Sequence, residues 1–330
     1  MAFESKHDVV VLYHKNCLDG IGSAWAAWKY YEGKVDLLAV QYGDKFEEIF
    51  GANFDKLTGK IVYCLDFSFD LPTTKHLMGI CNPLVVLDHH DSAWKNLKSI
   101  AQETFGDSNE LFHNGSFIES LVVVDQNHSG TRLSWAWFFG HDPRAVIPKG
   151  VLYVEDRDLW KWEFADSRNW TAGAFSYEFS VENFDKLISA NVDDVVKEGI
   201  GISRHMEKSV NLLYKSSRRF QVDEFDVPIV NCNALFASDL GAKMAEGEAF
   251  SVTYHDGGNA RHYSLRRAKG ADIKLNEIAE RFGGGGHPGA AAFRIPFDDE
   301  QFHRSHVEIT SVGYAKRGDN WVQTPIYKKD

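Results

Sequence analysis

Two stretches of this chain carry side chains that could do chemistry. In Val85-Val86-Leu87-Asp88-His89-His90-Asp91-Ser92 an apolar run ends directly in an acid and two histidines. Carboxylate and imidazole suit a divalent transition metal, and the end of a strand presents them rigidly. Far downstream stands Arg281-Phe282-Gly283-Gly284-Gly285-Gly286-His287-Pro288-Gly289-Ala290. There the backbone N–H groups of Gly284, Gly285 and Gly286 could approach an anion closely, with His287 beside them. Metal chemistry at one end and anion capture at the other imply a two-part enzyme for phosphate esters.

Further acids fall where a metal site would need them. Asp19, Asp66, Asp88 and Asp156 each follow an apolar run, and His14 stands before Asp19. A single Asp after a strand is ordinarily a turn or cap residue. Several of them, with His14, His89 and His90, are a different matter, because clustered carboxylates repel and need protons or cations among them. Two metals bridged by a shared carboxylate would use the set well. The segment Arg261-His262-Tyr263-Ser264-Leu265-Arg266-Arg267-Ala268-Lys269 is basic within an acidic chain. Arginine forks grip phosphate oxygens, and beside the glycine–histidine run that reading outweighs a merely solvated strand edge.

The patterning predicts elements that would position these groups. Apolar runs at Val9–Tyr13, Leu37–Gln41, Ile61–Leu65, Leu84–Leu87 and Val122–Val124 read as strands. Ser23–Tyr31 and Thr131–Phe139 read as helices, and Asn16–Gly22 as a loop. Alternation of this kind predicts an α/β fold with a mostly parallel sheet, whose ligands sit beyond the carboxyl ends of the strands. An amphipathic helix over residues 191–219 is expected to connect to a smaller α/β unit, with strands at Val227–Asn231, Phe250–Tyr254 and His262–Arg266. A helix at Leu275–Phe282 would lead into the glycines. The expected division is 1–190, a connector 191–219, a second domain 220–297 and an extension 298–330.

At 330 residues the chain can bury two cores. Its net charge of −11 argues against a general binder of long nucleic acid. Four scattered cysteines without a CxxC pair suggest reduced thiols in a cytosol. No signal-peptide pattern and no run near membrane-span length stands out, so a cytoplasmic protein without a membrane partner is expected.

The motifs resemble those of the DHH phosphoesterase superfamily, in the branch carrying a DHHA1 domain. Asp88-His89-His90 resembles the name-giving triad, Tyr13–Gly20 the first motif, Leu65–Ser68 the second and Val154–Trp160 the fourth. Ser129-Gly130-Thr131 is similar to the segment before the fourth. Gly283–Phe293 and Ser264-Leu265-Arg266 are similar to the DHHA1 signature and its arginine strand. The resemblance implies two manganese ions in an interdomain cleft, with Mg²⁺ or Co²⁺ as substitutes. His14 and Asp66 would hold one ion. Asp19, Asp66, His89 and Asp156 would hold the other, with Asp66 bridging. It further implies that His90 contacts the scissile phosphate, that Asp88 orients the histidines, and that Arg266 and His287 hold the far end of the substrate. One position departs from the family: where a second acid is usual, two residues before Asp19, this chain has Cys17.

The expected activity is hydrolysis of short nucleotide phosphodiesters by metal-activated water. Hydrolysis of inorganic polyphosphate is the alternative, and a nucleotide-binding sensor with a weakened metal site is a third reading. The expected partner is a small phosphorylated substrate, and a homodimer is compatible with the chain. A base-stacking aromatic near Arg266 would favour nucleotide, with Tyr263 and Phe236 as candidates.

Overall fold

The computed structural model describes residues 3–42, 44–102, 119–222 and 225–299, and the backbone of 312–317 and 320–325. It divides into two compact units, Met1–Glu207 and Lys208–Asp330.

The first unit runs β1 (Val9–His14), α1 (Leu18–Tyr30), β2 (Asp36–Val40), α2 (Phe46–Phe50), β3 (Ile61–Leu65), α3 (Leu71–Ile80), β4 (Leu84–Asp88), α4 (Asp91–Leu97) and β5 (Leu121–Val124). Helices α5 (Gly130–Phe139), α6 (Lys149–Asp158), α7 (Ser167–Ala174), α8 (Val181–Ser189) and α9 (Val192–Tyr214) follow, and the unit boundary falls within α9. The strands form a parallel sheet in the order β2-β1-β3-β4-β5. Both faces are covered, which is why the strands read as continuous apolar runs. Val9, Val11, Tyr63, Leu65, Val85 and Leu87 pack with Trp25, Phe138, Val154 and Phe184. Val10, Leu12, Val62, Cys64 and Val86 pack on the other face with Phe50, Phe67 and Leu77. The expected parallel α/β sheet is therefore present.

The second unit contains β6 (Arg218–Val222), β7 (Phe225–Asn231), α10 (Ala237–Met244), β8 (Ser251–Gly257), β9 (Ala260–Arg266), α11 (Leu275–Arg281), β10 (Gly285–His287) and β11 (Ala290–Pro296). These strands make a mixed sheet in the order β10-β11-β9-β8-β7-β6, with only β7 and β8 parallel. Its core includes Val227, Phe250, Val252, Leu265, Leu275 and Ile278. In the C-terminal segment, β12 (Val312–Arg317) pairs with β13 (Asn320–Pro325), where the sequence suggested no element. Among the described residues no helix is long and apolar enough to cross a membrane.

Two glycine-rich segments differ from their sequence reading. Asn16–Gly22 was expected to be a loop, but α1 begins at Leu18 and takes in Asp19 and Gly20. Gly20 is there for contact: a Cβ on it would lie 2.0 Å from the His14 carbonyl oxygen. The glycines after α11 end that helix and then pair as a strand. Gly283 takes φ +73°, and the N–H groups of Gly283 and Gly284 donate to the Glu280 and Ala279 carbonyls. Gly285, Gly286 and His287 then pair with Ala292, Ala291 and Ala290.

In an open helix interior, replacing Gly by Ala stabilises by about 1 kcal/mol. At Gly20 the sign should reverse, because the added methyl meets backbone that cannot swing aside. Gly20→Ala is expected to destabilise the protein by roughly 1–3 kcal/mol in urea unfolding. An unchanged or higher midpoint would show that α1 does not need this close approach to β1.

Candidate metal centre

The strand order sets where a site can form. The chain leaves β1 toward β2 on one side and β3 toward β4 on the other, so a crevice opens beyond the carboxyl ends of β1 and β3. His14 is the last residue of β1, and Asp66 follows the last residue of β3. Asp88 ends β4, with His89 and His90 immediately after it. Asp66 is held at φ +54°, a left-handed conformation that costs a non-glycine residue on the order of 1 kcal/mol or more. Its N–H donates to the Leu87 carbonyl, which fixes the turn against β4.

Three carboxylates converge on one imidazole nitrogen. His89 Nε2 lies 3.1 Å from Asp66 Oδ1, 3.5 Å from Asp19 Oδ2 and 3.5 Å from Asp158 Oδ2. Asp19, Asp66 and His89 are each 1 % exposed, so water contributes little to keeping the charges apart. The other oxygen of Asp66 faces His14, with Nδ1 3.7 Å from Oδ2. That Oδ2 is buried and has no hydrogen-bond partner. The ligand atoms of His14, Cys17 and Asp66 all lie within 4.8 Å of one another, and so do those of Asp19, His89 and Asp158. Oxygen, nitrogen and sulfur donors gathered in such groups fit divalent ions.

Further contacts aim these donors. Asp88 Oδ1 accepts from the backbone N–H groups of His89 (2.7 Å) and His90 (3.1 Å) and lies 2.7 Å from His90 Nδ1. One carboxylate thus fixes both histidines. Asp19 accepts from Gly130 N–H (2.6 Å) and Thr131 N–H (2.9 Å) at the start of α5, a helix terminus that favours negative charge. Gly130 is required there, since a Cβ would lie 2.6 Å from Asp66 Cβ.

No protein-family model matches the chain. A protein of Acanthamoeba polyphaga mimivirus, described only as uncharacterized, is 26% identical over 308 residues. The match takes in 86% of this chain and 66% of that relative, so the chain spans just under two thirds of its length. Among solved structures, the DHH domain of a member of the s1p family of ribosomal proteins superposes with a TM-score of 0.53 at 13% identity. That likeness covers 91% of this chain and 86% of that one. The chain has the DHH-domain fold. A looser likeness, with a TM-score of 0.45 and 12% identity, is to a pGpG-specific phosphodiesterase from Vibrio, covering 91% and 97% of the two chains.

Within this DHH fold the structure gathers His14, Asp19, Asp66, Asp88, His89 and His90 around the crevice. It does not bring Asp156 to them. Asp156 Oδ1 accepts from Glu163 N–H at 2.7 Å, and Oδ2 accepts from Ser167 Oγ at 2.5 Å and Phe164 N–H at 3.4 Å. It ties the end of α6 to the start of α7. Asp158 stands in the group instead. Neither is at a strand end; both are on α6, and two steps along a helix turn a side chain about 200°. The sequence showed both acids, in Glu155-Asp156-Arg157-Asp158, without showing which faced inward.

In the second unit, Arg266 donates to the Leu265 carbonyl and to Ser238 Oγ. Its stem packs where a Cβ on Gly241 would fall. Arg261 makes a two-pronged ion pair with Asp256, at 2.6 and 2.9 Å. Gly284 donates its N–H to the Ala279 carbonyl of α11, and Gly285, Gly286 and His287 form β10. Tyr263 is buried and stacked on Phe293, which removes it as a base platform. Phe236 packs against the small cluster around Leu240 and Met244.

Burial, then the Asp19 charge, raises Asp66 well above the usual carboxylate range. The same two causes raise Asp158. Burial opposes charge on His89, but Asp158 and Asp66 overcome it and raise the imidazole well above its ordinary value. Burial would also raise Asp88, but the adjoining His90 holds it well below the ordinary value. Burial, then Asp158 and Asp19, pushes the Cys17 thiol up to about 12.

The signs fix a pH dependence for the metal-free protein. Between them, Asp66, Asp158 and His89 hold protons in the folded state that the unfolded chain has already released. Stability must therefore fall as pH rises above the ordinary carboxylate range, about 4, and further above about 6.5, where an unfolded histidine loses its proton. The Asp88 contribution has the opposite sign but is complete above about pH 4 and lost only in acid. A divalent ion held by these groups would take the place of those protons. The Tm gain from saturating Mn²⁺ is expected to grow steadily between about pH 5 and pH 8 in scanning calorimetry. A gain that is constant or shrinks over that range would contradict the electrostatics of the centre.

Proposed function

We propose that this protein is a metal-dependent phosphodiesterase that hydrolyses short nucleotide phosphodiesters, either short oligonucleotides or cyclic or linear dinucleotides, with manganese as its preferred ion. The observation that carries the reading is Asp66. One of its oxygens faces His89 and the other, buried and without a hydrogen-bond partner, faces His14. A carboxylate shared in this way suits a pair of ions, with His14 and Asp66 on one and Asp66, Asp19, His89 and Asp158 on the other. Bound there, a metal pair would lower the pKa of a water and offset the charge building on a phosphoryl group.

The chain's own residues do the rest. Asp88 holds His90 through Nδ1, so the ring's opposite nitrogen, on a side chain 15% exposed, can reach a phosphate oxygen. His90 would bind and polarise that oxygen while Asp88 keeps the ring from rotating. Asp19, pinned by the α5 amides, would keep its remaining lone pairs directed at the ion. Tyr42 supports a nucleotide over bare polyphosphate. It lies just past β2, is 50% exposed, and its ring is 6.2 Å from that of His14 and 4.9 Å from that of Phe67. An exposed ring braced in this way can stack a base, an interaction worth about 1–3 kcal/mol. The net charge of −11 favours short substrates over long strands. All four cysteines are free, which is in keeping with a reducing, cytoplasmic setting.

The test is a manganese-supplemented panel of diadenylate, short RNA, cyclic nucleotides and polyphosphate with products identified, run beside Asp66→Asn. Mononucleotide products are expected. Asp66→Asn, with unchanged circular dichroism, should lose roughly 10³-fold in kcat/KM, about 4 kcal/mol. Phosphate release from polyphosphate alone would replace the nucleotide reading. Tight nucleotide binding with no turnover would make the protein a sensor.

A further inference from the structure

Cys17 occupies the position where the DHH resemblance leads one to expect an acid, and the structure puts its sulfur in the metal centre. Its Sγ lies within 4.8 Å of the ligand atoms of both His14 and Asp66. The partly buried residue is the N-cap of α1. Independently, the buried Asp66 Oδ2 lacks a hydrogen-bond partner and faces the same space. The other group, Asp19, His89 and Asp158, offers only oxygen and nitrogen.

We propose that the Cys17 thiolate is a ligand of the ion held by His14 and Asp66, and that it makes this half of the centre thiophilic while the Asp19–His89–Asp158 half stays hard. The inference rests on the two-ion reading above and adds a difference between the two positions. Sulfur, imidazole and one carboxylate select Zn²⁺ or Co²⁺ over Mg²⁺, whereas a mainly carboxylate set accepts Mn²⁺ or Mg²⁺. Ligation breaks the S–H bond, forms the sulfur–metal bond and gives the proton to solvent, with no change of oxidation state. A phosphodiesterase built this way would keep one ion fixed through turnover and exchange the other.

The full chain should be titrated with Co²⁺ alone and with Mg²⁺ alone, as wild type and as Cys17→Ser. Wild type is expected to bind Co²⁺ with a near-ultraviolet sulfur-to-cobalt charge-transfer band. Cys17→Ser should lose that band and weaken Co²⁺ binding at the first position by at least the roughly 10–100-fold known for lesser, outer partners of metal ligands. Its binding of Mg²⁺ should be unchanged. A second measurement needs no variant: Zn²⁺ should protect Cys17 from iodoacetamide, read by peptide mass, and Mg²⁺ should not. If the chain binds Co²⁺ with no charge-transfer band, and Zn²⁺ leaves alkylation of Cys17 as fast as in metal-free protein, the thiolate ligand is refuted and the two-ion reading stands. If no divalent ion binds at all, the two-ion reading fails first.

Discussion

Three carboxylates around one buried imidazole nitrogen, two of them buried as well, cannot remain together as bare anions. At 4 Å, two like charges repel by about 4 kcal/mol even at an effective dielectric of 20. A typical domain is stable by only about 5–15 kcal/mol in all. Asp19, Asp66 and Asp158 can therefore share this crevice only because something positive sits among them. Without metal that role falls to protons shared among His89, Asp66 and Asp158, the direction in which their pKa values are displaced. With metal the same geometry becomes a binding site. The cost of bringing the acids together is what a bound cation would offset.

Much of the first unit serves that convergence. The crossover at β1 and β3 brings His14 and Asp66 side by side. Gly20 lets α1 close on the end of β1 and carry Asp19 inward, and Gly130 lets α5 close on Asp66 and hold Asp19 by its amides. The left-handed φ of Asp66 and the two-histidine grip of Asp88 are local costs that aim side chains. Each is a small departure from ordinary backbone or packing preference, and they fall around the same cluster.

Features of this kind also explain what could be read from the sequence. Strands buried on both faces advertise themselves, so β1, β3, β4 and β5 were legible, and with them the places of His14, Asp66, Asp88, His89 and His90. The first turn of α1 was not, because Gly20 and Gly22 lower helix propensity and their compensating contacts, to His14 and Thr131, are tertiary. Asp156 and Asp158 are two positions apart on α6, a step no larger than the uncertainty of a helix boundary read from pattern. In the second unit two of the four glycines, Gly284 and Gly286, mark a close backbone approach. The group that approaches Gly284 and Gly286 is the neighbouring strand β11, a contact no local pattern specifies.

The central claim is that Asp66 is shared between two ions and that Asp158, not Asp156, completes the second. Anomalous diffraction at the manganese edge, on crystals grown with Mn²⁺, tests it most directly. Two peaks about 3.5–4 Å apart are expected, one beside each Asp66 oxygen, with Asp158 in contact with the peak nearer His89. A single peak, or a pair that leaves Asp66 outside the coordination of either ion, would contradict the account.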